Sequence, residues 1–236
     1  MTVNVRSQIL CAWGGILCPV IMFIGLWPAA GFFPPHLPGA SATEIAAIYQ
    51  QQANGIRVGT ILFLVAGAMY GAFTASISAQ MRRMEPRETP VLSYGQLAAG
   101  TASIVLFLVP ALFWTVAAFR PDRPAEVTQA LNDIGWFFFV MPFVLGFLQN
   151  LCIGFAVIND PSAEPVFPRW VGYFNFWIAI LFIPGCLITF FKTGPFAWNG
   201  FLSFWIPAAV FGPWFWVVSW AVIRAVRQQA RQAQSA

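Results

Sequence analysis

The sequence predicts an all-α integral membrane protein, a helical bundle of about six transmembrane helices. Of its 236 residues, 59% are hydrophobic and only 8% are charged, whereas a soluble domain averages roughly 25% charged residues. The mean hydropathy is +0.72. So few charges cannot cover a globule in water. The charges that do occur are separated by long apolar intervals, which indicates a chain that crosses a bilayer repeatedly.

The charge-free intervals mark the predicted spans. A charge at the bilayer centre costs roughly 2.5–3.5 kcal/mol on insertion scales, and a spanning helix needs roughly 20 mainly apolar residues. Six spans with short loops use almost the whole chain, so we expect one transmembrane domain over residues 1–236. The predicted spans are 9–33, 57–80, 91–118, 134–158, 170–191 and 200–223.

A short amphipathic helix is predicted between the first two spans, at about 42–53. It follows the proline-rich stretch 34–38, which must stay extended. Ser41 and Glu44 have the spacing of a capping box, and the pair Asn54-Gly55 is a stop signal. We expect this helix to lie on the outer membrane surface with its apolar side facing the bilayer.

Small residues recur at every fourth position of the second span. Such a stripe lets helix backbones approach closely, so we expect the second and third spans to pack as a hairpin. A dimer-forming surface is the alternative. The stripe comprises Gly55, Gly59, Gly67, Gly71, Ala75 and Ala79, with Gly95, Ala99 and Ser103 in the third span.

The placement of Lys and Arg predicts that both termini are cytoplasmic. With the N-terminus inside, eight of the twelve basic residues lie on inner segments and four on outer segments. The inner ones are Arg6, Arg82, Arg83, Arg87, Arg169, Arg224, Arg227 and Arg231. The outer ones are Arg57, Arg120, Arg123 and Lys192.

The residue inventory excludes several kinds of chemistry. His36 is the single histidine, whereas membrane haem, di-iron and copper sites need histidine or carboxylate clusters. A Walker loop, a dinucleotide GxGxxG that opens a helix and a serine nucleophile elbow are absent from the sequence. We therefore expect no metal, no cofactor and no nucleic-acid partner.

One candidate site is a charged group on the predicted outer side, with His36 and Tyr49 nearby. An acid–base pair at span ends could bind a polar head group or donate a proton to a substrate from the bilayer. The simpler alternative is that topology puts every charge at a helix end. The catalytic candidates are Glu44, Arg57 and Asp133, and Lys192 and Asn199 are ligand-binding candidates on the same side.

A second candidate site lies in the inner half of the membrane. Polar amides in hydrocarbon need partners, because an unmet group costs several kcal/mol. Bonds between helices would satisfy them without a ligand, and a pocket for a hydroxyl or carbonyl on an apolar molecule is the alternative. The candidates are Tyr94, Gln96, Gln149, Asn150, Tyr173 and Asn175.

Four stretches carry a resemblance to a family of bacterial polytopic membrane proteins of about this size. They read FFPPHLPGASATEIAAIY, GIRVG, VFPRWVGY and FFKTGPFAWNG. The resemblance covers most of the chain and implies a multi-pass protein of the bacterial inner membrane. It brings no activity and no functional residue with it.

Three classes of function stay open at this point. The first is a binding or accessory subunit that handles a lipid-like molecule or a partner membrane protein, with a homo-oligomer as the alternative to a different partner chain. The second is a membrane-embedded enzyme acting on an apolar terpenoid, sterol or lipid. The third is a small-molecule transporter, which should show broken helices at mid-membrane. The absence of catalytic motifs favours the first.

Overall fold

The computed structural model is all-helical and describes residues 4–86 and 88–235. No strand occurs in these ranges. Six helical stretches are long and apolar enough to cross a membrane, which confirms the predicted bundle of a multi-pass protein. They cover Val5–Ala29, Ala42–Met81, Val91–Phe119, Ala125–Ile158, Arg169–Thr189 and Phe201–Gln234, and we number them spans 1 to 6. Arg87, one of the arginines predicted to lie on the cytoplasmic side, does not belong to the described residues.

The six spans contain eight α-helices, because two of the spans are broken. The α-helices are α1 Val5–Ile24, α2 Ala42–Met81, α3 Val91–Ala102, α4 Val105–Phe119, α5 Ala125–Val140, α6 Phe143–Ile158, α7 Arg169–Phe182 and α8 Ile206–Ser235. Short segments of other helical geometry extend spans 1, 5 and 6. These are the π-helices Gly25–Ala29 and Phe201–Trp205 and the 3₁₀-helix Ile183–Thr189.

Proline and serine explain the interruptions in spans 3 to 6. Pro142, Pro184 and Pro207 stand where spans 4, 5 and 6 change geometry, and each lacks the N–H that would continue the helix. In span 3, the Ser103 hydroxyl donates to the Ala99 carbonyl oxygen over 2.8 Å. A side-chain bond of this kind competes with the helical backbone ladder.

The start of span 1 and the end of span 6 lie at the same end of the bundle, which we call the terminal end. Near the last turn of α2, Gln80 Nε2 donates to Gln8 Oε1 over 2.5 Å and to Gln229 Oε1 over 3.2 Å. Arg83 adds bonds to Gln80 Oε1 (2.7 Å) and to the Ala225 carbonyl (3.2 Å). These bonds join the ends of spans 1, 2 and 6. The cytoplasmic location of the terminal end remains a prediction.

The helix predicted at about 42–53 is present, and it forms the first part of α2. Its capping box is intact, with Ser41 N donating to Glu44 Oε2 over 2.7 Å and Glu44 N donating to Ser41 Oγ over 3.3 Å. The backbone leaves helical geometry at Gln52 (φ −117°, ψ 18°) and then continues into the span. Ile45 and Tyr49 are only 1% and 0% exposed. The apolar side of this segment therefore packs on protein rather than on the bilayer.

Span 2 lies at the centre of the bundle, in contact with spans 1, 3, 4 and 6. Its glycines are used in two directions. A Cβ at Gly59 would stand 2.4 Å from the carbonyl oxygen of Gly25 in span 1, whereas one at Gly67 would stand 2.8 Å from Phe107 Cβ in span 3. The small-residue stripe is therefore used for close packing within the chain.

We expect Gly59→Ala to lower the thermal stability of the detergent-solubilised protein. Alanine favours a helix interior by about 1 kcal/mol relative to glycine, but the added methyl group would push spans 1 and 2 apart, and overpacking costs about 1–3 kcal/mol. The measurement is the midpoint of thermal unfolding. Gly39→Ala is the control, because no heavy atom lies within 4 Å of a Cβ at that position. Equal midpoints for the two variants would contradict the close contact.

Candidate binding site

A cavity of about 680 Å³ lies inside the bundle. Small-molecule sites have volumes of roughly 300–1,000 Å³, so this one is large enough for a lipid-like molecule. Every span contributes to its wall. Examples, one from each span in order, are Phe23, Tyr70, Phe107, Gln149, Phe182 and Trp214.

The cavity lies at the interruptions of the spans. Ser103 stands at the break in span 3 and Pro142 at the break in span 4, and both line the cavity. Gly185 of the 3₁₀-helix, Ser203 of the π-helix and Pro207 also line it. Interrupted helices cannot pack along their full length, so the cavity follows from the positions of these residues.

The cavity opens between spans 1 and 6, toward the surface that would face lipid. Most of its lining side chains are buried or half-buried, and those that are exposed all belong to these two spans. They are Val20, Phe23, Ile24, Trp205, Ala208, Ala209 and Trp216. A molecule dissolved in the bilayer could therefore reach the cavity without crossing water.

A buried hydrogen-bonded group forms the polar part of the wall. The Tyr70 hydroxyl donates to Gln149 Oε1. Gln149 Nε2 donates to Thr74 Oγ1 over 3.2 Å, and Gln96 Nε2 donates to the same atom over 2.7 Å. These bonds join spans 2, 3 and 4, as expected for amides in hydrocarbon. Gln149 and Tyr70 line the cavity directly.

Asn150 and Asn175 are both buried but differ in their hydrogen bonding. Each donates from Nδ2 to the carbonyl four residues earlier, Asn150 to Gly146 (2.8 Å) and Asn175 to Val171 (2.7 Å). Asn175 Oδ1 also accepts from Trp214 Nε1 over 2.9 Å. Asn150 lines the cavity, and its buried Oδ1 has no partner among the described residues.

The six residues predicted for the inner site do not lie together in the structure. Gln149 and Asn150 line the cavity, and Gln96 is bonded to the same network. Asn175 does not line the cavity, but it accepts a hydrogen bond from Trp214, which does. Tyr94 and Tyr173 lie on the bundle surface, 53% and 59% exposed.

Comparison with protein-family models, curated proteins and solved structures finds no match. The features of the molecule that bear on its function are the cavity, its polar wall and the two ends of the bundle. Among the described residues, no group of three or more His, Cys, Asp or Glu is placed to hold a metal ion.

At the end opposite the termini, part of the predicted outer group meets around Asn132. His36 Nδ1 donates to Asn132 Oδ1 over 2.8 Å, and the Tyr49 hydroxyl donates to the same oxygen over 3.3 Å. Asn132 Nδ2 in turn donates to Asp133 Oδ1 over 3.1 Å. We call His36, Tyr49, Asn132 and Asp133 the His36 cluster.

His36 is held in one tautomer by this geometry. Because the Asn132 oxygen can only accept, Nδ1 carries the proton, and in the neutral ring Nε2 is an acceptor. Nε2 is buried and has no partner among the described residues. Burial lowers the pKa of His36 below its ordinary value, and the bond to Asn132 opposes part of that shift. The ring is therefore neutral near pH 7.

Most of the remaining outer candidates have hydrogen-bond partners outside the His36 cluster. Glu44 is an exposed helix cap, and Arg57 donates to Asn54 Oδ1 (3.1 Å) and to the Ala118 carbonyl (2.8 Å). Within the described residues, no hydrogen bond or ion pair joins any two of Glu44, Arg57 and Asp133. Lys192 is exposed but close enough for its charge to act on Asp133. The Asn199 carbonyl accepts from Trp205 Nε1 over 3.1 Å.

Sequence reasoning missed Asn132 and the cavity residues Tyr70, Ser103 and Ser203. Tyr70 carried a usable signal, because a tyrosine hydroxyl in mid-span needs a partner. Asn132 lies four residues after Thr128 and four before Trp136, and all three are buried. That spacing puts polar atoms along one face of α5. Ser103 and Ser203 gave no such signal, since serine also occurs at ordinary helix contacts.

We expect Asn175→Leu to destabilise the protein more than Asn150→Leu does. The first change leaves the buried indole N–H of Trp214 without an acceptor, a loss of about 1–3 kcal/mol. The second removes an amide whose oxygen is already unpaired. Thermal unfolding midpoints of the two variants in detergent provide the test. A larger drop for Asn150→Leu would contradict the assigned roles.

We expect acid to destabilise the protein partly through His36. The unfolded chain protonates this side chain near pH 6.5, whereas the folded chain resists protonation to a lower pH. Stability from the neutral ring is therefore complete above about pH 6.5 and is lost as the pH falls toward the folded pKa. Between pH 7.5 and 5, the unfolding midpoint should fall further in the wild type than in His36→Gln. Equal decreases would show that His36 does not contribute.

Proposed function

We propose that this protein binds an apolar, lipid-like molecule in its intramembrane cavity and serves as a ligand-binding protein or as an accessory subunit of a membrane-protein complex. The observation that carries the proposal is the apolar cavity of about 680 Å³ at the interruptions of the spans. Packed protein interiors contain few voids larger than a water molecule. A cavity of this size with an opening toward lipid is what a ligand site requires.

Asn150 supplies the polar end of the proposed site. Its Oδ1 is an unused acceptor beside an apolar cavity, and an unpaired buried polar group costs free energy that a donor would recover. A hydroxyl or N–H group on the ligand is such a donor. The apolar remainder of the molecule would lie against the aromatic side chains of spans 1, 3 and 6.

A transporter is the second candidate, favoured by the broken helices around the cavity. A transporter and a binding protein differ in the route by which a molecule reaches the cavity. A transporter would expose a cysteine introduced at Ser203 to a membrane-impermeant thiol reagent from each side of the membrane in turn. A binding protein that is loaded from the bilayer would protect that cysteine from both sides.

Catalysis has less support in the geometry. Glu44 caps a helix and Arg57 donates to Asn54 and Ala118, and among the described residues neither is hydrogen-bonded or ion-paired to Asp133. Following the resemblance, we place the protein in the bacterial inner membrane. Membrane lipid is the partner that the cavity and its opening favour, and a partner protein or a second copy stays an alternative for the accessory role.

Native mass spectrometry of the protein released from nanodiscs of its own membrane tests the proposal. We expect a reproducible small-molecule mass beyond bulk lipid, and lower occupancy in Gly212→Phe. Gly212 lines the cavity with no heavy atom within 4 Å of a Cβ, so the phenyl group would occupy ligand space. Gly212 directly precedes Pro213 inside α8. In α4 the corresponding position before Pro110 is occupied by Val109, so a side chain directly before a helical proline is tolerated.

Ala98→Phe is the matched control, because Ala98 is an exposed helical residue outside the cavity wall. This variant should retain the small molecule at wild-type occupancy. The proposal fails if the wild type carries only bulk lipid or other protein chains. It also fails if Gly212→Phe and the wild type retain the molecule equally.

A further inference from the structure

A groove lined by arginines lies at the terminal end of the bundle, between α8 and the connection from α6 to α7. Arg224, Arg227 and Arg231 follow one another at spacings of three and four residues, which places them on one face of α8. Glu164 and Pro165 form part of the opposite wall, and the groove has a volume of about 800 Å³. We call it the basic groove.

Two of these arginines are not used by the protein itself. Arg224 and Arg227 are exposed, and neither has a hydrogen-bond or ion-pair partner among the described residues. By contrast, Arg83 and Arg169 donate to the backbone carbonyls of Ala225 and Ile158.

The carboxylate in the groove is already engaged. Glu164 Oε2 accepts from Gln228 Nε2 over 3.0 Å and from Gln232 Nε2 over 3.4 Å. These amide bonds hold the loop against α8 and reduce the capacity of Glu164 to accept from the arginines. Three guanidinium groups and one carboxylate leave the groove with two net positive charges, which favours an anionic ligand.

The other side of the groove is aromatic and apolar. Trp220 and Ile223 line it, and the Trp220 ring centroid lies 5.8 Å from that of Trp170. Both tryptophans are about half exposed, and tryptophan is enriched where a span meets the head-group region. The groove therefore joins unpaired guanidinium groups to apolar surface at the depth of a lipid head group.

We propose that the basic groove binds the phosphate of an anionic membrane lipid. Arg224 and Arg227 donate to the phosphate oxygens, for which the planar guanidinium group is well suited. The acyl chains run along Trp220 and Trp170. Basic clusters beside a span are attracted to anionic lipid in general, and the groove adds a defined position to that attraction. This site is separate from the intramembrane cavity and does not depend on its function.

The test uses the full-length protein in nanodiscs that contain phosphatidylglycerol and phosphatidylcholine in equal amounts. Native mass spectrometry after release counts the lipids that remain bound. We expect the wild type to retain phosphatidylglycerol selectively. Arg224→Gln with Arg227→Gln should weaken that retention by about tenfold or more, as the loss of charge-assisted hydrogen bonds implies.

Arg6→Gln with Arg82→Gln is the matched control. It removes the same charge from exposed residues at the same end of the bundle, outside the groove. This variant should retain phosphatidylglycerol as the wild type does. Equal losses in the two double variants would show general electrostatic attraction and would overturn the site, as would the absence of selective retention in the wild type.

Inorganic phosphate distinguishes a lipid site from a site for the free anion. At 20-fold excess over the lipid, it should leave the bound phosphatidylglycerol in place, because it lacks acyl chains to contact the tryptophans. Trp220→Leu should weaken lipid retention while the unfolding midpoint stays within error of the wild type. Displacement by inorganic phosphate, together with an unchanged Trp220→Leu variant, would assign the groove to the free anion instead.

Discussion

Polar groups inside an apolar span must find partners within the protein, because lipid offers none. This constraint governs how the spans of this chain can be interrupted. At Pro184 the 3₁₀-helix leaves a carbonyl oxygen that accepts from Ser203 Oγ over 2.9 Å, so a residue of span 6 pairs a group released in span 5. Inside the bundle, Thr74 Oγ1 accepts hydrogen bonds from the amides of Gln96 in span 3 and Gln149 in span 4. Such cross-span bonds hold the bundle together where the helices themselves are broken.

The same bundle packs closely in one region and stays open in another. Glycines of span 2 let it approach spans 1 and 3 at distances that exclude even a methyl group. Spans 3 to 6 change geometry within the apolar region, and there the side chains do not fill the space between helices. Because rigid close packing and a cavity have opposite requirements, their segregation lets the chain be closely packed around span 2 and still contain a cavity.

The two ends of the bundle differ in chemistry. His36 is buried, neutral at pH 7 and covered by aromatic rings such as Phe32, whose centroid lies 4.6 Å from that of His36. The basic groove is exposed and positively charged. A ligand from the bilayer and a lipid head group would therefore meet different surfaces, the first between spans 1 and 6 and the second beside α8.

Much of the fold was predictable because membrane insertion depends on local composition. The charge-free intervals locate all six spans, and the capping box at Ser41 locates the start of α2, since each signal lies within a few neighbouring residues. The continuation of α2 past the local stop signal at Asn54-Gly55 was not predictable. A Cβ at Gly55 would stand 2.3 Å from the Ala29 carbonyl oxygen, so this glycine serves close packing against span 1, a contact that the local sequence does not show.

The candidate site was likewise predictable only where local sequence determines it. Intramembrane amides such as Gln149 and Asn150 stand out in the sequence because hydrocarbon penalises them wherever they lie. Which of them would be satisfied depends on side chains far away in the chain, as with Trp214 for Asn175. The cavity depends on the relative positions of the breaks in spans 3 and 4 and of the changes in helical geometry in spans 5 and 6. The meeting of His36 with Asn132 joins residues 96 positions apart. Composition alone determined that this chain crosses a membrane, whereas only tertiary packing decided where it is open and which polar atoms are left to bind.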